Sequence, residues 1–70
     1  MKITWQVVFE DGYVKVRHSK LGTVCAGTLF PDGVVAGIEF LEEKYRKNNM
    51  IRIPAMAALQ RWQRNRALGV

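Results

Sequence analysis

The chain has a single cysteine, Cys25, among its 70 residues. One thiol cannot form an internal disulfide, and it cannot anchor a zinc site that needs several thiolate ligands. Because small secreted domains without disulfides are unusual, we expect a cytoplasmic protein. The sequence also lacks a glycine-rich phosphate loop and a group of metal ligands at suitable spacing, so no cofactor and no metal are expected.

Long apolar runs are missing as well. No stretch approaches the roughly 20 residues that span a bilayer, and residues 1–6 turn polar too early for a signal peptide, so we expect no membrane partner. There is no repeat, linker or low-complexity segment, and residues 1–70 are predicted to form one small domain. A core of this size leaves a margin of roughly 3–5 kcal/mol, which makes a homodimer worth considering.

Acidic residues are absent from the last third of the chain. Residues 44–70 contain seven Lys or Arg and no acid, whereas residues 1–43 contain four bases and six acids. The formal net charge of +5 is therefore the sum of −2 and +7. Such a distribution predicts an acidic partner, either DNA or RNA or an acidic protein surface.

Three antiparallel strands are predicted in the first half. Residues 3–9 and 13–19 alternate between apolar and polar side chains, and residues 23–30 are rich in small and β-branched ones. Turns are expected at residues 10–12 and 20–22, where glycine allows tight hairpins. In the second strand Tyr13, Lys15 and Arg17 would share a basic outer face open to solvent.

A helix is predicted to follow, with Asp32 as its N-cap. The apolar residues that support it recur at helical spacing and are Val34, Ile38, Leu41 and Tyr45. A third hairpin turn at residues 31–33 is the alternative. Phe40 lies well off this stripe, so either the helix is buried on two sides or Phe40 is an exposed contact for a partner or a second copy of the chain.

Residues 50–53 alternate briefly and are interpreted as a short fourth strand or an extended linker. Pro54 suits the first position of a second helix, whose apolar stripe is Ala55, Ala58, Leu59 and Trp62. The predicted fold class is α+β. It consists of a three-stranded antiparallel meander packed by one helix, the possible short fourth strand, and a basic C-terminal helix.

Catalysis is not expected. A two-residue turn would place His18 directly opposite Cys25, and such a pair can supply a nucleophile and its base. Neither an orienting third group nor an oxyanion hole is visible in the sequence. We therefore interpret Cys25 as a small core residue and the protein as a non-enzyme.

The basic residues carry the strongest functional signal. Arginine suits phosphate because its planar fork donates two parallel hydrogen bonds. The candidate residues for binding nucleic acid or an acidic partner are Lys15, Arg17, Lys47, Arg52, Arg61, Arg64 and Arg66. Tyr13 and Phe40 are candidate exposed aromatic contacts, whereas Trp62 shares the apolar stripe and is predicted to be core.

Two functions are consistent with these features. The first is a non-catalytic nucleic-acid-binding module that uses the basic C-terminal third. In outline, a three-stranded sheet with Lys15 and Arg17 on its outer face resembles the sheet-reading DNA-binding domains of phage integrase arms and plant transcription factors, which insert a strand face into the major groove. The alternative is a phage-type accessory protein, similar to anti-CRISPR proteins in its small size, that binds and inhibits or adapts a host protein.

Overall fold

A computed structural model describes residues 3–68, which form a four-stranded antiparallel sheet with helices packed against one face. The elements in chain order are β1 (Trp5–Glu10), β2 (Tyr13–His18), β3 (Gly22–Leu29), β4 (Val35–Phe40), α1 (Glu43–Lys47) and α2 (Asn49–Leu68). Each strand pairs with its neighbours in sequence, giving the sheet order β1-β2-β3-β4. The α+β class and the three-stranded meander predicted from the sequence are confirmed.

The first hairpin joins β1 and β2 through a two-residue turn. Glu10 faces Tyr13 across the ladder, and the two residues between them both have positive φ, 56° for Asp11 and 84° for Gly12. Positive φ at both positions defines the turn whose twist matches that of the flanking strands. The Asp-Gly pair therefore fixes the register of β1 on β2.

The register of β2 on β3 contradicts the predicted pairing of His18 with Cys25, and it includes a bulge in β3. Val16 faces Cys25, but the next pair is Arg17 with Thr23, which leaves Val24 as an extra residue in β3. Val24 and Cys25 are both completely buried. The turn between β2 and β3 already places Val16, and not His18, opposite Cys25, and the bulge moves the end of β2 one residue further, so that His18 faces Gly22.

β4 replaces the helix predicted to begin at Asp32. The Asp32 Oδ1 atom accepts a hydrogen bond from the Val34 N–H at 3.1 Å, so it stabilises the turn between β3 and β4 instead of capping a helix. The register then shifts again, because Gly37 takes φ 65° and adds one residue to β4. Ile38 and Phe40 still pack against the core.

The second helix begins earlier than Pro54 predicts. Asn48 caps it, since its Oδ1 atom accepts the Met50 N–H at 3.0 Å and its backbone carbonyl accepts the Arg52 N–H at 2.8 Å. Residues 50–53, interpreted from the sequence as a strand or linker, are thus the first turn of α2, and Pro54 lies inside the helix. The fourth strand is β4.

The core lies between the sheet and one stripe of α2. The fully or nearly buried residues are Val14, Val16, Val24, Cys25, Val35, Tyr45, Ala55 and Leu59. Trp62 is partly buried and packs against this cluster, which confirms the apolar stripe predicted for the helix. Burying one Val or Leu side chain contributes roughly 1.5–3 kcal/mol, so this stripe fixes which side of α2 faces solvent.

Candidate nucleic-acid interface

The last helix concentrates uncompensated positive charge. α2 contains Arg52, Arg61, Arg64 and Arg66 and no acidic residue. Within residues 3–68, none of these four guanidinium groups lies within 4.0 Å of a carboxylate. Their charges are therefore available to a partner, whereas most other bases of the described chain are paired.

The basic pair on the outer sheet face is compensated. The Lys15 Nζ atom lies 3.3 Å from Glu10 and 3.4 Å from Asp11, and an Arg17 guanidinium nitrogen lies 2.7 Å from Glu10. The hydrogen bonds from Arg17 and Lys15 hold the pKa of Glu10 below its ordinary value. Two bases therefore face two acids, and this surface offers no net positive charge to a phosphate.

Lys47 is compensated in a similar way. It lies in α1, where its ammonium is 3.8 Å from Glu43. The same carboxylate accepts a hydrogen bond from Arg46 at 2.8 Å, and Lys44 lies 3.6 Å from Glu42. Residues 42–47 hold three bases against two acids, and Lys47 shares the Glu43 carboxylate with Arg46. This ion pairing reduces what Lys47 adds to the potential around α2.

Arg52 is half-buried in the first turns of α2, where it donates a hydrogen bond to the Asn49 side-chain oxygen at 2.8 Å. Arg52 precedes Arg61 by nine residues, which at 100° per residue places the two side chains on opposite sides of the helix. The structure therefore separates Arg52 from the arginines at the other end of α2.

Arg61 and Arg64 form the exposed basic pair of the helix. Both are exposed, and their spacing of three residues makes them neighbours on one face. Arg61 borders an open groove of about 530 Å³ between β1 and α2, together with Asn65. Arg64 borders a second groove of about 660 Å³ at the turn between β3 and β4, together with Gln60 and Arg66. The pair thus lies between two open grooves.

Arg66 is positioned differently from these two. Its guanidinium carbon lies 5.0 Å from the centroid of the Trp62 ring. A cation over an indole face is attracted by the ring quadrupole. Arg66 therefore covers the edge of the core as well as contributing charge.

The two aromatic candidates differ in exposure. Tyr13 is 52% exposed and lies on the outer sheet face, on the side opposite α2. Phe40 is partly buried in β4 and packs against the core, so it is less exposed than the sequence predicts, and its role as a contact stays a prediction. Only Tyr13 could stack on a base, and it lies beside the compensated Lys15 and not beside the free arginines.

The single thiol and the single imidazole serve the fold. Burial raises the pKa of the Cys25 thiol to about 11, so almost no thiolate exists at neutral pH. The His18 Nδ1 atom accepts hydrogen bonds from the Lys20 and Leu21 N–H groups at 3.0 and 3.1 Å. The His18 ring also packs edge-on against Trp5, with centroids 4.8 Å apart.

Within residues 3–68 no cluster of three His, Cys, Asp or Glu could hold a metal ion.

Of the sequence candidates, then, the structure brings Arg61, Arg64 and Arg66 together as exposed bases without a carboxylate partner, and of these Arg66 is held over the Trp62 ring. Gln60 and Asn65 flank Arg61 and Arg64, and Asn65 was missed by the sequence analysis. Its spacing of four residues from Arg61 is the signal that could have found it.

No helix of the described chain is long and apolar enough to cross a membrane. Comparison with known protein families, curated proteins and solved structures finds no match.

Proposed function

We propose that the protein binds nucleic acid through the solvent-exposed side of α2, with Arg61 and Arg64 as the central contacts. The observation that carries the proposal is the exposed, unpaired state of these two arginines in a helix without acids. Planar guanidinium groups match phosphate oxygens in a bidentate geometry. Two of them one helical turn apart can contact neighbouring phosphates of one strand.

Duplex DNA is the favoured substrate class. The described length of α2 is 20 residues, which corresponds to about 30 Å of helix, and the B-form major groove is wide enough to admit such a helix. The deep, narrow major groove of duplex RNA is too narrow to admit a helix. Gln60 and Asn65, on either side of the arginine pair, carry the donor and acceptor groups that read base edges.

The test is fluorescence anisotropy of labelled duplex DNA, single-stranded DNA and RNA at about 50 and 200 mM salt. Affinity for the duplex should fall steeply with salt, because each neutralised phosphate releases a counterion. The Arg61→Ala and Arg64→Ala variants should each weaken binding and reduce the slope of log affinity against log salt by about 1.

The matched control is Lys15→Ala, which removes a base that is already ion-paired. It should leave both affinity and salt slope nearly unchanged. If no probe binds at 50 mM salt, or if Lys15→Ala weakens binding as much as the two arginine variants, the proposed interface on α2 is wrong.

A second candidate function, binding and inhibiting or adapting another protein, is favoured by the other half of the same helix face. Met50 is 85% and Ile53 is 55% exposed, and their spacing of three residues makes them neighbours. An apolar pair followed along the helix by a basic pair suits an acidic protein surface with an apolar centre. Replacing Met50 and Ile53 with serine should abolish capture of such a partner while leaving DNA affinity unchanged.

A further inference from the structure

One edge of the sheet is open along its full length. The Ser19 N–H donates to the Thr4 carbonyl at 3.0 Å, so the backbone groups of Thr4 point toward β2. Because these directions alternate along an antiparallel pair, the N–H and C=O groups of Trp5, Val7 and Phe9 point away from β2. In the described part of the chain no other strand pairs with this edge.

The opposite edge is protected. The N–H of Val35 in β4 is already bonded to the Gln63 side-chain oxygen at 2.8 Å. Gly37, with φ 65°, puts a bulge into the middle of β4. Bulges and covered backbone groups are devices by which proteins keep sheet edges from pairing with other chains. β1 has neither, and its six residues pair with β2 without a register shift.

The side chains along the open edge are apolar on the helix-facing side. Phe9 is 56% exposed, although its neighbours in the alternation, Trp5 and Val7, are half-buried and pack against the core. Trp5 and Val7 also line the groove between β1 and α2. A strand added at this edge would cover Phe9 and one wall of that groove.

We propose that two copies of this chain pair through β1 in antiparallel orientation, forming a continuous sheet of eight strands. The two-fold axis passes beside Val7, so that Val7 faces the partner's Val7 and Trp5 faces the partner's Phe9. All three outward-pointing residues then form hydrogen-bonded pairs, each exchanging two bonds. The arrangement is isologous and closed, as a two-fold dimer requires.

Charge and shape both favour a second copy as the occupant. Residues 3–9 carry no charge, so two chains of net charge +5 meet along a neutral segment and no like charges are opposed. Glu10 faces Thr4 of the partner in this register. The exposed Phe9 ring meets the half-buried Trp5, and aromatic cross-strand pairs are among the more stabilising ones.

The first test is sedimentation equilibrium of the full chain over a wide concentration range. We expect a monomer–dimer equilibrium that reaches twice the 8.0 kDa of one chain. Phe9→Lys should raise the dimer dissociation constant at least about a hundredfold, because the two-fold axis introduces the charge twice. Phe30→Lys is the control, since Phe30 is 47% exposed and lies outside β1.

Circular dichroism must show that both lysine variants retain the wild-type fold. A wild-type chain that stays monomeric at all concentrations overturns the proposal. So does a dimer that Phe9→Lys and Phe30→Lys weaken equally, and so does growth to open-ended oligomers, which a closed two-fold pair excludes.

The second test reads the register directly. Gln6 of one copy faces Val8 of the other in a non-hydrogen-bonded pair, with Cα atoms about 4.5 Å apart, within the range of a disulfide. A mixture of the Gln6→Cys and Val8→Cys variants should therefore cross-link at least about tenfold faster than either variant alone. The buried Cys25 does not compete. Equal rates for the mixture and the separate variants contradict the register.

Discussion

The Gln63 side-chain oxygen accepts a hydrogen bond from the Val35 backbone N–H at 2.8 Å. This bond connects the second half of α2 with the first residue of β4, across 28 positions of the sequence. Val35 is 8% exposed, so water cannot easily replace the glutamine. The bond therefore fixes the end of the helix that carries Arg61 and Arg64.

Replacing Gln63 with alanine should lower the free energy of unfolding by about 1–2 kcal/mol. The loss comes from leaving a buried N–H group without a partner. Gln60→Ala, at an exposed position of the same helix, should change stability by less than about 0.5 kcal/mol. Urea denaturation of both variants measures the difference, and equal midpoints would show that the bond contributes nothing.

Gly27→Ala should destabilise the fold by about 1–3 kcal/mol, the usual cost of overpacking a core. A methyl group at this position would lie 2.8 Å from Val35 Cγ1 and 3.0 Å from Ile38 Cγ1. Both contacts belong to β4, which cannot retreat without breaking its pairing with β3. Thermal unfolding is the measurement, with Thr28→Ala at the exposed next position as the control. An unchanged melting temperature for Gly27→Ala would mean that the two strands separate easily.

The free energy of unfolding should decrease as the pH is lowered in the acid range, in part through Glu10. Arg17 and Lys15 hold the pKa of this carboxyl below its ordinary value, so the folded state binds the proton less readily than the unfolded one. The stabilisation is present above about pH 4.3, the usual glutamate pKa, and is lost as pH falls through the lower folded pKa. Melting temperatures between pH 3 and 7 should therefore change less in Glu10→Gln. High salt should reduce the difference, because the ion pairs are exposed.

Cys25 should react very slowly with thiol reagents in the folded protein. Its pKa of about 11 reduces the thiolate fraction, and the side chain is completely buried. At pH 8 we expect modification at least about a hundredfold slower than in denaturant. The Gln6→Cys variant, with a thiol at an exposed position, supplies the control for reagent access. Rapid modification of folded wild-type protein would show that the core opens around β3.

The raised pKa of the Cys25 thiol also predicts that the protein loses stability as the pH rises in the alkaline range. The folded state favours the neutral thiol, so this contribution is complete below the ordinary cysteine pKa of about 8.5. It is lost as pH rises toward the folded pKa of about 11. Cys25→Ala should remove this part of the alkaline destabilisation.

The first three strands could be predicted because their alternation is local and their turns contain glycine. β4 could not, and the reason is the bulge at Gly37. Without that residue Val35, Ile38 and Phe40 would occupy alternate positions of a strand. With it their spacing becomes three and then two, which hides the strand alternation and leaves the helical spacing of Val34, Ile38, Leu41 and Tyr45 as the stronger pattern. The same bulge places Phe40 off the apolar stripe that the sequence predicts.

The sequence predicts that the candidate site is rich in arginine, but it does not predict which of the candidate bases remain unpaired. Sequence alone shows that the last third is rich in arginine and free of acids. It does not show that Glu10 reaches both Lys15 and Arg17 across the hairpin, because that depends on the register set by Asp11 and Gly12. Ion pairing therefore decides which of the seven candidate bases remain available, and it is a property of the folded chain.

The contact between α2 and β1 has a consequence for how the chain is made. β1 leaves the ribosome first, whereas the Ala55, Leu59 and Trp62 stripe that covers the sheet follows about 50 residues later. Until that stripe emerges, the nascent meander exposes its apolar face and its open edge at the same time. Released chains that are truncated before residue 55 should therefore be bound by chaperones, and chains that include the whole of α2 should not.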